Sequence, residues 1–341
     1  MSGMEPETPL PTNTRPPVPP DAPGVSHAGP TSEPGSDQVQ DPSGLIEKSS
    51  VINNLIELSE MIKFEHTVFA LPFALLGGLA AAQGIPPLRI SLWILAAMVG
   101  ARTSAMTFNR LVDADIDAEN PRTASRALPA GRVSRPGALA LLGAGIVLFG
   151  VAAGALGPLT WALSPLALLI ILGYSLCKRF TSWAHVVLGL SLSGAPLGAW
   201  IAVSGHIEAP ALWLSGGVLA WTAGFDILYA LQDQAFDRGQ GLHSIPARLG
   251  THRALFLSRL LHLAALACWA QFNLLMGSHV VAWLGWTTVA AMLFREQWLV
   301  RRGDLSRIDQ AFFTLNSLVG LVFFTGHALE WWLSHTFLAS S

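Results

Sequence analysis

Nine long apolar runs follow one another after the first 45 residues, and they restrict this chain to very few folds. A run of about 20 apolar residues is long enough to cross the hydrocarbon core of a bilayer as a helix. Charged residues make up 12% of the chain, which is about half of their share in a soluble domain. We therefore predict an all-α polytopic membrane protein, a bundle of nine transmembrane helices around a cytoplasm-facing cavity, with helices at about 64–83, 90–110, 136–155, 158–177, 184–204, 211–231, 253–276, 279–299 and 310–333.

The first 45 residues differ in composition from the rest of the chain. They contain half of the 22 prolines, together with Ser, Thr, Gly and acidic residues, and almost no large apolar side chains. Such a segment cannot bury enough apolar surface to offset the entropy cost of ordering it. We predict that residues 1–45 are a disordered Pro-rich extension and that 46–341 form the membrane domain. An amphipathic helix over about 51–63 is expected to lie at the membrane interface.

Basic residues alternate between the connections that join the predicted helices. Cytoplasmic loops of membrane proteins are enriched in Lys and Arg, so the basic connections and the N-terminus are expected in the cytoplasm. In a bacterium this is the cytoplasmic side of the inner membrane. The net charge of −2 provides no electrostatic footprint for nucleic acid. The connections after the second, fourth, sixth and eighth helices carry Arg122, Arg126, Arg132, Arg135, Lys178, Arg179, Arg238, Arg248, Arg253, Arg301, Arg302 and Arg307, whereas the others carry Arg89 alone.

An acidic stretch follows the second apolar run. Asn109, Asp113 and Asp117 are four residues apart, so they lie on one face if the segment is helical. Carboxylates stacked in this way repel one another unless a cation lies between them, and Mg²⁺ is a hard cation that prefers oxygen ligands. Arg122 and Arg126 follow, and arginine binds phosphate oxygens. We refer to residues 109–117 as the first acidic motif. The motif together with the two arginines that follow it predicts a diphosphate substrate.

A matching acidic stretch follows the sixth apolar run. Asp226, Asp233 and Asp237 are separated by seven and four residues, which again places them on one helical face. We refer to residues 233–237 as the second acidic motif. Because both motifs lie at helix ends on the same predicted side of the membrane, we expect the two helices to bring them to a shared cavity. Basic residues follow this motif as they follow the first.

Ordinary solvated salt bridges are the alternative interpretation of these charges, although ionisable residues at helix ends within a membrane bundle are usually functional. Asp115 is out of phase with the first acidic motif, which favours a solvated role. Arg102 is seven residues before Asn109 and therefore on the motif face, where it is either a substrate contact or part of an internal ion pair. For Asp226, a ligand role and a supporting role both remain open.

The two motifs resemble those of the UbiA superfamily of intramembrane prenyltransferases. The chain shows NRLVDADID and DQAFD where that family has N-D-x-x-D-x-x-x-D and D-x-x-x-D. The flanking RTASRALPAG, the LGYSLCKR end of the fourth helix and the KFEHTVFALPFALLGG start are also similar, and the resemblance covers about residues 50–335. It is greatest to the 4-hydroxybenzoate polyprenyltransferase branch, which includes enzymes of the futalosine route to menaquinone. One departure is Arg110, which stands where the family often has Asp.

The resemblance implies Mg²⁺-dependent transfer of a polyprenyl group from a polyprenyl diphosphate to an aromatic acceptor, 4-hydroxybenzoate or a dihydroxynaphthoate, in ubiquinone or menaquinone biosynthesis. It implies that Asp113 and Asp117 hold one Mg²⁺, that Asp233 and Asp237 hold a second, and that these four are the catalytic residues. The lipid bilayer would receive the isoprenoid tail. The substrate-binding residues that it implies are Lys63, Asn109, Arg122, Arg126, Tyr174, Lys178 and Tyr229.

Two other functions remain open at this point. A cation-coupled transporter would use the acidic pairs as an ion path, although inverted repeats and unwound helices at the bilayer midplane are typical of that class. A superfamily relative that prenylates a haem or chlorophyll-type acceptor would keep the same donor chemistry and differ only in the acceptor.

Overall fold

A computed structural model of the chain describes residues 67–301 and 314–338, and every regular element within these ranges is a helix. The predicted extension at 1–45, the predicted amphipathic helix and Lys63 lie outside the described residues. The helices are α1 (Thr67–Ala82), α2 (Leu88–Glu119), α3 (Arg135–Leu156), α4 (Pro158–Cys177), α5 (Ala184–Ser204), α6 (Ala209–Ala230), α7 (Gln234–Gly239), α8 (Ile245–Leu249), α9 (Thr251–Leu275), α10 (Val280–Leu299) and α11 (Asn316–Leu338).

The predicted all-α class is confirmed within the described residues, and a long helix lies at each of the nine predicted positions. Six of the long helices are apolar and long enough to cross a membrane, namely α2, α3, α4, α5, α9 and the segment Ala209–Gly239 that contains α6 and α7. Large apolar side chains such as Leu169, Leu263 and Phe294 are exposed on the outside of the bundle, as expected for a surface in contact with lipid. The protein is therefore an integral membrane protein.

Small residues let the helices pack closely. A Cβ atom on Gly100 of α2 would lie 2.6 Å from the backbone nitrogen of Phe149 in α3. A Cβ atom on Gly77 of α1 would lie 2.5 Å from the carbonyl oxygen of Pro196 in α5. Because lipid tails are as apolar as the helices, association depends on such close backbone packing. These contacts fix the spacing of α1 against α5 and of α2 against α3.

An aromatic core joins α1, α6, α9 and α11. The rings of Phe73 and Trp269 are stacked, with centroids 5.3 Å apart and an interplanar angle of 19°. Trp221 packs edge-on against Phe225 at 4.9 Å, and its indole N–H donates to Asn316 Oδ1 at 2.8 Å. Phe225 immediately precedes Asp226 in the sequence, so this apolar core borders the polar residues of α6 directly.

Candidate functional site

One cavity of about 260 Å³ lies where α2, α4 and α6 end. The C-terminal ends of three helices carry partial negative charge, which adds to the charge of nearby carboxylates and favours cations at this place. Both acidic motifs line this cavity. The predicted site residues found in its wall are Asn109, Asp113, Asp117, Arg122, Arg126, Tyr174, Lys178, Tyr229, Asp233 and Asp237; of the predicted set, only Lys63 lies outside the described residues.

The first acidic motif is helical, because α2 continues to Glu119 rather than ending near residue 110 as predicted. The Nδ2 of Asn109 donates to Asp113 Oδ2 at 3.0 Å. The carboxylate of Asp117 is 7% exposed, and Nη1 of Arg126 lies 2.7 and 2.6 Å from its two oxygens. Asp113 and Asp117 therefore face one cavity, and an arginine already neutralises Asp117.

The segment after α2 turns back over the cavity for local reasons. Asn120 precedes Pro121, which disfavours a helical conformation, and it ends α2 in an extended conformation with φ −90° and ψ 117°. The side chain of Asn120 then accepts from the backbone N–H of Arg122 at 3.0 Å. The hydroxyl of Thr123 donates to the carbonyl of Asp117 at 3.0 Å. This turn directs Arg122 and Arg126 toward the acidic residues.

The second acidic motif is held from across the cavity. Nε and Nη2 of Arg122 donate to Oδ1 and Oδ2 of Asp233 at 2.9 and 2.5 Å, and Nη1 donates to the hydroxyl of Tyr229 at 3.2 Å. The oxygen Oδ2 of Asp237 is buried and has no hydrogen-bond partner. Arg122 therefore links the segment after the first acidic motif to the second acidic motif.

The helix that carries the second acidic motif is not continuous. A 3₁₀ turn over Leu231–Asp233 separates α6 from α7, and a 3₁₀ turn has about 3.0 residues per turn instead of 3.6. The predicted shared face of Asp226, Asp233 and Asp237 assumed a regular helix of 3.6 residues per turn, which the 3₁₀ turn interrupts. All three nevertheless line the cavity.

The end of α4 contributes two basic residues. Burial by itself lowers the pKa of Lys178, but the carboxylates of Asp226, Asp237, Asp233 and Asp113 outweigh this effect and raise that pKa above its ordinary value. Arg179 Nη2 lies 2.6 Å from the carbonyl oxygen of Val112 and 3.4 Å from Asp113 Oδ1. The lysine therefore carries a positive charge in the middle of the acidic residues.

Residues outside the predicted set also line the cavity, among them Arg102, Arg110 and Asp226. For Arg102 the sequence signal was its position seven residues before Asn109, which places both residues on one helical face. Nη1 of Arg110 lies 3.9 Å from Asp117 Oδ2, so the residue that replaces a family acid forms an ion pair with another acid of the motif. The side chain of Asp115 is 87% exposed and pairs with Arg135 at 2.7 Å outside the cavity.

Comparisons with known proteins identify the family of this chain. The sequence profile of the UbiA prenyltransferase family matches residues 70–318. A 4-hydroxybenzoate octaprenyltransferase of Nitrosospira multiformis is 31% identical over 253 residues, which are 74% of this chain and 86% of that protein. Another from Shewanella sediminis is 29% identical over 277 residues, which are 81% of this chain and 96% of that protein.

Solved structures show the same fold. The apo structure of a UbiA homolog from Aeropyrum pernix K1 is 35% identical and superposes with a TM-score of 0.71, covering 78% of this chain and 98% of that one. A UbiA homolog from Archaeoglobus fulgidus bound to DMAPP and Mg²⁺ is 20% identical with a TM-score of 0.65, covering 80% of this chain and 97% of that one. The chain therefore belongs to the UbiA prenyltransferase family, and it is a membrane-embedded prenyltransferase.

Proposed function

We propose that this prenyltransferase transfers a polyprenyl group from a polyprenyl diphosphate to an aromatic acceptor of the 4-hydroxybenzoate or dihydroxynaphthoate class, as a step of ubiquinone or menaquinone biosynthesis. The observation that carries the proposal is the meeting of two acidic motifs with Arg122, Arg126 and Lys178 around one cavity. The names of the relatives and the DMAPP bound to the Archaeoglobus homolog support it.

The oxygen ligands that the side chains around the cavity offer are suited to Mg²⁺. Within the described ranges no three His, Cys, Asp or Glu side chains converge on one point. Mg²⁺, however, is usually held by one or two carboxylates together with phosphate oxygens and water. Asp237 Oδ2 is a buried acceptor with no hydrogen-bond partner, and a cation would satisfy it. We infer that Asp113 and Asp117, with Asn109, would hold one Mg²⁺ and that Asp233 and Asp237 would hold a second.

A bound Mg²⁺ would supply Lewis-acid stabilisation of the negative charge that develops on the diphosphate. The two arginines that are now paired with metal-ligand carboxylates must then release them. Arg122 and Arg126 hold Asp233 and Asp117 in the structure, and a diphosphate offers the guanidinium groups the same charged oxygen acceptors. We infer that the two arginines move from carboxylate to diphosphate oxygens when the donor binds.

Charge balance supports binding of metal and diphosphate together. Five acidic and six basic side chains of the described residues line the cavity, so the site is nearly neutral as it stands. Metal ions alone would add positive charge to it, and diphosphate alone would add negative charge. Together they change the net charge little, because the charges of two Mg²⁺ ions and one diphosphate nearly cancel.

The acceptor is expected deeper in the bundle than the diphosphate. Arg102 lies seven residues before Asn109 in α2, a rise of about 10 Å along the helix. Because Arg102 lines the cavity at this greater depth, we assign the acceptor carboxylate to it. Tyr174 and Tyr229 would stabilise the allylic cation through their ring faces, an interaction worth about 1–2 kcal/mol when desolvated.

The membrane setting follows from the same proposal. We infer nine membrane crossings and a cavity that opens to the cytoplasm of a bacterial cell, because the basic connections lie at the cavity end of the bundle. The diphosphate then remains at the interface, while the isoprenoid tail passes between apolar helices into the bilayer.

The test is an assay of membranes with radiolabelled prenyl diphosphate against 4-hydroxybenzoate, dihydroxynaphthoates and homogentisate. We expect Mg²⁺-dependent release of diphosphate and labelling of one carboxylated phenol. Asp113→Asn and Asp233→Asn should each lower turnover by about 100-fold, as the loss of preorganised charge stabilisation does in other enzymes. Asp115→Asn, outside the cavity, is the matched control, and near wild-type turnover in Asp233→Asn would refute the proposal.

A further inference from the structure

A buried histidine lies in hydrogen-bond contact with one carboxylate of the cavity. His185, in the first turn of α5, is fully buried, and its Nδ1 lies 2.7 Å from Asp226 Oδ2. The side chain of Asp226 lines the cavity and is 21% exposed. His185 is therefore placed to act on a substrate only through Asp226.

The backbone determines which nitrogen of His185 carries the proton. The N–H of Ile245 donates to His185 Nε2 at 3.3 Å, and a ring nitrogen that accepts a hydrogen bond is not protonated. The proton of the neutral ring is then on Nδ1, which donates to Asp226. Ile245 is the first residue of α8, and Ser244 caps that helix by accepting from Ala247 N–H at 3.2 Å. A capped helix thus fixes the tautomer.

Asp226 differs from the other acids of the cavity in its partner and in its depth. Asp117 and Asp233 are each paired with an arginine, whereas Asp226 is hydrogen-bonded to the His185 ring and lies near the charged Lys178. It also lies seven residues before Asp233, which corresponds to about 10 Å along a helix. Arg102 lies the same number of residues before Asn109 in α2, and both Arg102 and Asp226 line the cavity.

We propose that His185 is a positioning residue that orients Asp226 for removal of the ring proton of the acceptor, an inference that rests on the proposed function. In the step, the C–O bond of the prenyl diphosphate breaks and its electron pair leaves with the diphosphate. A ring carbon next to the phenol hydroxyl forms the new C–C bond. The electron pair of its C–H bond restores the aromatic ring, and the proton passes to the carboxylate of Asp226.

The hydrogen bond matters because it limits the rotational freedom of the Asp226 carboxylate, which otherwise faces Lys178 and apolar side chains. Ala184 and Leu188, on either side of His185 along α5, line the cavity and offer no donor. A misplacement of about 1 Å of a catalytic group can cost roughly 100-fold in rate. His185 removes this freedom without adding a positive charge that would compete for the proton.

The experiment compares His185→Leu with His185→Asn in purified protein reconstituted in nanodiscs. Asparagine places its amide nitrogen near the position of Nδ1 and keeps a donor, whereas leucine removes it. His206→Leu is the matched control, since His206 is exposed and pairs with Glu208 in the connection between α5 and α6. Rates are measured with 4-hydroxybenzoate and with the same compound deuterated at C3 and C5.

We expect His185→Leu to lower kcat by about 10- to 100-fold, to leave KM for the prenyl diphosphate unchanged, and to produce a primary isotope effect that the wild type lacks. His185→Asn should restore most of the rate and remove the isotope effect. Wild-type kcat in His185→Leu, or a loss of rate without an isotope effect, would overturn the positioning role. If the leucine variant does not fold, His185→Gln replaces it, and equal rates in the Gln and Asn variants would overturn the role. Absence of transfer by the wild type to any acceptor would instead refute the proposed function.

Discussion

The exchange of arginines between carboxylates and diphosphate predicts that removing one arginine makes a metal ion bind more tightly. Arg122 donates two hydrogen bonds to Asp233, so a divalent ion that binds Asp233 must first displace it. In Arg122→Gln this competitor is absent. The variant should therefore bind metal better in the absence of diphosphate, although it binds the donor less well.

The magnitude follows from the geometry of the pair. Hydrogen bonds to charged groups contribute about 1.5–3 kcal/mol, while solvent-exposed ion pairs contribute about 0–1 kcal/mol. The side chain of Arg122 is 35% exposed and that of Asp233 is 12% exposed, which places the pair between these limits, at about 1.4 kcal/mol. This corresponds to about a tenfold change in affinity.

The assay is binding of Mn²⁺, which prefers the same oxygen ligands as Mg²⁺, followed by electron paramagnetic resonance of the free ion. Arg135→Gln is the matched control, because Arg135 pairs with the exposed Asp115 outside the cavity. Without diphosphate, Arg122→Gln should bind Mn²⁺ about tenfold more tightly than the wild type. With inorganic pyrophosphate, the wild type should gain more affinity for Mn²⁺ than the variant does.

An unchanged or weaker affinity of Arg122→Gln for Mn²⁺ without diphosphate would refute the exchange. It would mean that Asp233 is not a metal ligand or that its pairing with Arg122 persists when the metal is bound. A gain of the same size in Arg135→Gln would show that only the overall charge of the protein matters.

Two further predictions concern stability. Because carboxylates raise the pKa of Lys178 above its ordinary value, its stabilising charge is fully present below about pH 10.4, the ordinary lysine pKa, and is lost only as pH rises through the raised value. The melting temperatures of wild type and Lys178→Met in EDTA should therefore differ by a constant amount from about pH 6 to 9, and a difference that shrinks within this interval would contradict the assignment. Gly100→Ala places a Cβ atom 2.6 Å from the backbone of Phe149 and should lower the free energy of unfolding by about 1–3 kcal/mol in a detergent thermal melt. Gly143→Ala, where nothing lies within 4 Å, should be neutral, and equal melting temperatures for the two variants would contradict this packing argument.

Sequence patterns predicted the helices well where the pattern is local. Apolar runs located the long helices, and the spacing of Asn109, Asp113 and Asp117 predicted that they share a helical face. The end of α2 was placed too early because the apolar run stops near residue 110, whereas the backbone remains helical to Glu119. The length of an apolar run depends on side-chain polarity, not on where the backbone stops being helical. The helix itself ends only where Asn120 precedes Pro121.

The partners of the site residues were not predictable in the same way. Arg122 and Arg126 were identified as phosphate ligands from their residue type and position, but the structure shows that they hold Asp233 and Asp117. His185 offered no sequence signal at all, because a single histidine at the start of an apolar helix is usually structural. Its importance depends on Asp226 and Ile245, which belong to other helices.

The amino-acid sequence by itself determined the helical membrane fold, the residues of the two acidic motifs and the arginines beside them, because periodicity, hydrophobicity and charge act between neighbours along the chain. Only the tertiary structure decided which arginine neutralises which carboxylate and which nitrogen of His185 faces Asp226. Arg122 and Asp233 are 111 residues apart, and His185 and Asp226 are 41 apart. Contacts over such separations depend on how each helix is rotated and packed against its neighbours.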